Sequence, residues 1–311
     1  MRARPGPSPG GRLRRLLRHP ASAFLTPIGV FDSGVGGLTV LRALREAMPA
    51  ENFIYLGDTA RLPYGTKSAE TVVRYSLQCA AALIRRHIRC LVVACNTVSA
   101  SALDALREHH PTLPVIGVIE PGAAAAVAAS RSGHIAVIAT EGTVGGGAYQ
   151  AAIHRLNPAA RVTSRACSLF VSMAEEGWTE GPIAEAVARR YLGPLFGDPI
   201  SGDPIFQAGD APDTLVLGCT HFPALAPAIR AVLPPHVNII DSAATTAAAV
   251  ARQLLGLTTG NEAGLPSSNA VPAARGDVRW LATDGAARFA RVGSTFLGET
   301  VQAEAVEIID L

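Results

Sequence analysis

Two cysteines stand at the ends of two similar apolar runs. Leu91-Val92-Val93-Ala94-Cys95-Asn96-Thr97 stops on a thiol followed by an amide and a hydroxyl, and Leu215-Val216-Leu217-Gly218-Cys219-Thr220-His221 is a near copy. Short apolar runs of this kind, closed by polar side chains, predict buried strands of a parallel sheet. Ligands of open α/β folds sit beyond the carboxyl ends of such strands, so each thiol is expected at the mouth of a crevice. Two thiols facing each other across a cleft suit one reaction: a proton leaves one face of a carbon and another returns to the opposite face. That needs two bases, one deprotonated while the other is protonated. A thiol of ordinary pKa, about 8.5, can be drawn toward the thiolate by a helix N-terminus or a charged neighbour. Asp32, Glu175, Glu176 and His221 could hold and relay the protons, and Asn96, Thr97, Thr140, Thr143 and Thr220 could donate to a substrate carboxylate.

The elements that must position these residues alternate without a break. Ile28-Gly29-Val30-Phe31 reads as a strand running into the turn Asp32-Ser33-Gly34-Val35-Gly36-Gly37, after which Leu38, Leu41, Leu44 and Met48 recur at helical spacing. A glycine-rich turn between strand and helix exposes backbone N–H groups and favours an anion. It lacks the Lys-Ser/Thr of a P-loop and the dinucleotide spacing, so a carboxylate fits better than a nucleotide. Residues 52–56 predict a second strand and 69–87 a helix; after the Cys95 strand, 99–109 predicts another helix and 114–118 a strand. Ile135-Ala136-Val137-Ile138-Ala139-Thr140 then resembles the first strand and its hydroxyl-bearing end, and the second copy reaches its own thiol at Cys219. The prediction is two pseudo-symmetric, doubly wound α/β domains with largely parallel sheets and a site in the cleft between them. Closing strands are expected at 278–282 and 306–309.

The 311 residues, 49% hydrophobic and 17% charged, describe a globular chain with a large core and a lean surface. No apolar run approaches the about 18 residues of a membrane span. Six of the 27 basic residues, Arg2, Arg4, Arg12, Arg14, Arg15 and Arg18, precede the first strand. Without them 21 bases face 25 acids, so charge does not suggest a nucleic-acid partner. Cys79, Cys90, Cys95, Cys167 and Cys219 are odd in number and show no C-x-x-C spacing, against a disulfide framework or a structural zinc site. A reducing cytoplasm is the expected compartment. Residues 1–27 read as a disordered basic tail, and 197–213 and 258–277 as exposed loop and linker.

Phe31-Asp32-Ser33-Gly34-Val35-Gly36-Gly37, Pro63-Tyr64-Gly65, Ala94-Cys95-Asn96-Thr97, Ala139-Thr140-Glu141-Gly142-Thr143, Glu175-Glu176-Gly177 and Gly218-Cys219-Thr220-His221 resemble, in order, the motif set of the bacterial glutamate racemases. The resemblance runs over nearly all of residues 28–311. It implies a cofactor-independent, metal-free racemase that interconverts L- and D-glutamate for peptidoglycan synthesis, active as a homodimer. It implies a first domain of residues 28–117 completed by 243–311, and a second of 118–242. It matches Cys95 and Cys219 to the catalytic bases, and Asp32 and His221 to groups that assist proton transfer. Glu175 matches the acidic position of the second domain, with Glu176 left open. Asp32, Ser33, Pro63, Tyr64, Gly65, Asn96, Thr97, Thr140, Thr143, Thr220 and His221 fall at substrate-binding positions. The chain departs from the pattern at Ser172-Met173-Ala174, where a more apolar, proline-containing run is usual, and in the length of 197–213. Two other readings stay open: a related racemase of aspartate or of another acidic or hydantoin substrate, and a two-domain protein that binds a small anion without catalysis. Lys67, the only lysine, stands beside Tyr64-Gly65 in no context that calls for pyridoxal phosphate.

Overall fold

The computed structural model describes residues 26–197, 210–255 and 275–311, so the basic tail and most of the expected loop and linker lie outside the described residues. The first half runs β1 (Ile28–Asp32), α1 (Leu38–Ala47), β2 (Phe53–Gly57), α2 (Ala69–Ile84), β3 (Cys90–Val93), α3 (Asn96–Ser101), α4 (Leu103–His109) and β4 (Val115–Gly117). The second runs α5 (Ile119–Ala129), β5 (His134–Ala139), α6 (Glu141–Gly145), α7 (Ala148–Leu156), β6 (Arg161–Ala166), α8 (Leu169–Glu176), α9 (Gly181–Phe196), β7 (Thr214–Gly218), α10 (Ala226–Val232), β8 (Asn238–Asp241) and α11 (Ser242–Leu255). The chain closes with β9 (Val278–Ala282), α12 (Ala286–Leu297) and β10 (Val306–Ile308).

Strands β1, β2, β3, β5 and β7 are buried along their whole length, as near-continuous apolar runs require when helices cover both faces of a sheet. Every pairing in the two sheets is parallel. The first sheet has the order β10-β9-β2-β1-β3-β4 and the second β6-β5-β7-β8. Matching β1–β4 to β5–β8 makes the order of the second sheet identical to the β2-β1-β3-β4 part of the first, so the duplication expected from the strand ends is a duplication of topology. In each sheet the order reverses between the first strand and the cysteine strand, β1/β3 and β5/β7, which is where an open sheet forms its crevice.

Local sequence explains the helices that carry these strands. In α1, Leu38, Val40, Leu41 and Leu44 are buried, and Arg45 on the outer side pairs with Glu299 at 2.7 Å. The buried face packs on α11 and α12, whose own apolar stripe includes Phe289, Val292 and Phe296. Ser68 caps α2 by accepting the Thr71 N–H.

Three features differ from the sequence reading. The helix expected over 99–109 is two helices, because it starts at Asn96, directly on Cys95, and breaks at Ala102, whose φ of −127° is not helical. Apolar periodicity misses such a start, since Asn96, Thr97 and Ser99 are polar yet buried. Strands β6 and β8 escape the reading because they are edge strands, only half-buried, with the mixed sequences RVTSRA and NIID. Strand β10 ends at Ile308, one residue short of the expectation.

The carboxyl ends of the two sheets meet at glycines. A Cβ on Gly36 would lie 2.4 Å from Thr220 Oγ1 and 2.5 Å from the His221 ring, and one on Gly65 would lie 2.7 Å from Thr140. The Thr39 hydroxyl crosses the same seam to the Thr220 carbonyl at 3.3 Å. Because the His221 ring is buried and held, Gly36→Ala should act as overpacking and cost about 1–3 kcal/mol. Urea unfolding of the variant beside the wild type measures this, and an unchanged midpoint would show that the seam can relax.

Candidate active site

The residues singled out from sequence converge on one cavity at this seam. It is lined from the first half by Ser33, Gly34, Leu62, Pro63, Tyr64, Gly65, Cys95, Asn96 and Thr97, and from the second by Thr140, Val171, Glu175, Cys219, Thr220 and His221. Its interior is tight: the space open to the centre of a water-sized sphere is about 40 Å³. Each thiol is delivered as expected: Cys95 follows β3 and caps α3, and Cys219 follows β7 directly. Asp32 and Thr143 stand behind the lining and touch it through neighbours. The periodicity gave no sign of Gly34, Leu62 or Val171 as lining residues.

Asp32 ends β1 and is almost fully buried. Its Oδ2 accepts the Gly34 N–H at 2.9 Å, while Oδ1 has no protein partner. Burial raises its pKa, and the His221 charge and the N–H groups of Gly37, Gly34 and Ser33 counter part of that rise. Cys95 donates its S–H toward Ser33 Oγ at 3.4 Å. Burial, then the Asp32 charge, pushes this thiol up to about 12 despite the Ser33 hydrogen bond. Burial and the Asp32 carboxylate both act against the thiolate at Cys95, and the helix that starts there, α3, has only six residues.

The second thiol has the opposite surroundings. His221 Nδ1 lies 3.9 Å from Cys219 Sγ, and Nε2 lies 3.1 Å from Glu175 Oε1. Glu175 Oε2 accepts from Arg288 at 2.7 Å. Burial by itself would lower the His221 pKa, but the hydrogen bonds to Cys219 and Glu175 and their negative charge raise it to about 10. Burial would likewise raise Glu175, and the contacts with His221 and Arg288 bring it below its ordinary value instead. The geometry selects Glu175 over Glu176 as the partner of His221, since Glu176 is exposed on the other side of α8.

Three hydroxyls make a polar floor. Thr97, Thr140 and Thr143 Oγ1 atoms stand 3.1–3.2 Å apart in a closed triangle. Beside them Asn96 accepts from Tyr149 through Oδ1 at 2.8 Å, and its Nδ2 is buried without a protein partner. The opposite wall depends on Asp58, fully buried at the end of β2, which the sequence reading passed over. Its carboxylate accepts from the Tyr64 hydroxyl, from Arg61 at 2.7 Å and from Thr283, past the end of β9, at 2.8 Å. Tyr64 thus presents its ring to the cavity while its hydroxyl is held by Asp58. Cys79, Cys90 and Cys167 are buried and line no part of the cavity. Among the described residues no group of three or more His, Cys, Asp or Glu side chains is placed to hold a metal ion, and no helix is long and apolar enough to cross a membrane.

The raised His221 pKa links protonation to stability. A histidine held at about 10 when folded and near its usual 6.5 when unfolded contributes stability that is complete below pH 6.5 and lost as pH rises through 10. Glu175→Gln removes the negative partner, so the His221 ring should titrate well below 10 and the alkaline loss of stability should move to lower pH. Ring-nitrogen NMR and unfolding at stepped pH measure both, and an unmoved His221 titration would show that Glu175 does not hold its charge.

Comparison with known proteins identifies the family. Residues 28–200 match the family model described as Asp/Glu/Hydantoin racemase. The chain is 50% identical over 271 residues to a glutamate racemase of Geobacter metallireducens, covering 87% of this chain and 92% of that one. It is 43% identical over 285 residues to the glutamate racemase of Neisseria meningitidis, covering 92% and 97%. Among solved structures it resembles glutamate racemase from Francisella tularensis in complex with D-glutamate, with a TM-score of 0.77, 35% identity and coverage of 92% and 98%. A glutamate racemase isoform of Bacillus anthracis gives a TM-score of 0.79 at 34% identity with the same coverage. With the family model covering more than half of the chain and such relatives covering most of it, the chain belongs to the Asp/Glu/hydantoin racemase family and, within it, to the glutamate racemases, which are isomerases.

Proposed function

We propose that this enzyme interconverts L- and D-glutamate by proton transfer at Cα between two cysteine bases. The observation that carries the reading is that Cys95 and Cys219, delivered by equivalent strands of two like sheets, line a single cavity with a proton-holding group beside each. One sulfur, as thiolate, takes the Cα proton. The other thiol gives its proton to the opposite face of the planar carbanion. One Cα–H bond breaks and another forms, and the two sulfurs exchange protonation states. Asp32 near Cys95 and His221 near Cys219 hold and return protons between turnovers. The free Nδ2 of Asn96, the threonine hydroxyls, Ser33 and Thr220 are the donors available to the substrate carboxylates.

Glutamate is favoured over aspartate and hydantoin substrates by the relatives named above and by the Francisella tularensis structure that holds D-glutamate. In the same reading the enzyme needs no cofactor, acts as a cytoplasmic homodimer and supplies D-glutamate for peptidoglycan. Its halves divide as 28–117 with 243–311, and 118–242. The strand order, with β9 and β10 joined to the first sheet, supports that division.

Incubation with L-glutamate in deuterated water, with no added cofactor, tests the proposal. The expected result is loss of optical activity with deuterium at Cα of the D-product; no reaction with glutamate but turnover of aspartate would transfer the site to a different substrate. Cys95→Ala and Cys219→Ala should each lower racemisation by roughly 10²–10⁴-fold or more, the scale of losing a general base, with the fold intact. Full activity in either variant would remove the two-base mechanism.

A further inference from the structure

Tyr149 has no part in the chemistry above, yet it joins the start of α3, next to Cys95, to the second cysteine strand. It lies on α7 in the second half and is almost fully buried. Its hydroxyl donates to Oδ1 of Asn96, the first-half residue next to Cys95, at 2.8 Å. Its ring fills the space over Gly218, the residue before Cys219: a Cβ there would lie 3.0 Å from Tyr149 Cε2. The Ser242 hydroxyl donates to the Leu217 carbonyl at 3.5 Å, and the phenol O–H is given to Asn96. Burial, with Asp241 and Cys219 near, raises its pKa and keeps that donor proton in place.

The consequence falls on Asn96. An amide has a donor end and an acceptor end, and whichever end is satisfied locally decides which one faces the ligand. With Oδ1 held by Tyr149, Nδ2 is left buried and without a protein partner, on a residue that lines the cavity. A buried, unpaired N–H₂ group costs free energy unless a ligand accepts from it.

We propose that Tyr149 is a positioning residue for this site: by fixing the Asn96 amide it turns Nδ2 toward an anionic oxygen of the substrate, and by packing on Gly218 it ties that donor to the second cysteine strand. The assignment rests on the glutamate reading above. Without the phenol hydroxyl the Asn96 amide can rotate and offer its oxygen to a carboxylate, which repels it. The effect belongs to substrate binding more than to proton transfer.

Tyr149→Phe in the full chain keeps the ring over Gly218 and deletes only the hydroxyl. KM for glutamate should rise about five- to tenfold while kcat changes by less than about threefold, the signature of lost binding common to ground and transition state. In an Asn96→Ala background the same substitution should change KM by less than about twofold, because the group it acts through is gone. Equal effects in the two backgrounds, an unchanged KM, or a loss confined to kcat would each overturn the proposal. Should Tyr149→Phe fail to fold, the wild type serves instead: the Asn96 side-chain amide resonances should shift on adding glutamate, and absence of a shift overturns the assignment. A wild type inert toward glutamate is a separate failure, removing the substrate reading and this proposal with it.

Discussion

The site depends on how closely two sheets of the same strand order can bring their carboxyl ends together. The separation is set where side chains are missing. Gly36 lies against Thr220 and His221, and Gly65 against Thr140, at distances no Cβ tolerates. Polar contacts then lock the seam, from Thr39 to the Thr220 carbonyl and from Tyr149 to Asn96. Glycine in the first turn is thus a matter of clearance between halves as well as of backbone N–H groups aimed at an anion. Interiors pack at crystal-like density, so one methyl group at such a place has to move its neighbours.

The backbone is nearly symmetric and the electrostatics are not. Cys95 has a buried carboxylate for a neighbour, and Cys219 has an imidazole whose proton is held by Glu175 and, behind it, Arg288. A two-base reaction needs its bases in opposite protonation states, and like surroundings would favour the same state at both. Duplication of topology brings two thiols to one cavity from equivalent strand ends; the flanking residues differ, a carboxylate beside one and an imidazole beside the other. The His221–Glu175–Arg288 chain also runs from the second half into α12, so the charge on His221 depends on a helix packed on the first half.

The walls of the cavity are supported from a distance. Asp58 gathers Tyr64, Arg61 and Thr283 around one buried carboxylate and so fixes the Tyr64-Gly65 wall to the end of β9. Buried charge is costly unless paired and hydrogen-bonded, and here the pairing doubles as alignment of the wall. The C-terminal strands thereby serve the site without contributing a lining residue.

The sequence alone determined most of the strands, the alternation with helices, and the presence of a thiol at two equivalent strand ends, because these depend on local apolar runs, on glycine-rich turns and on short-range order along the chain. It located β1, β3, β5 and β7, whose burial leaves a continuous apolar signature, and missed β6 and β8, whose edge positions leave none. It also placed most of the lining residues: Cys95, Asn96, Thr97, Thr140, Cys219, Thr220 and His221 sit at or just after those strand ends, and the motifs that resemble the glutamate racemases added Ser33, Pro63, Tyr64, Gly65 and Glu175. Only the tertiary structure decided between Glu175 and Glu176, because the choice depends on which side of α8 faces a histidine 46 residues away. It alone brought Asp58 to Tyr64 and Thr283, and Tyr149 to Asn96. It also set the Asp32 carboxylate beside the buried Cys95 thiol. Pairings between residues far apart in the chain, and the solvent they exclude, have no periodicity to read: they exist only once the two sheets have closed on each other.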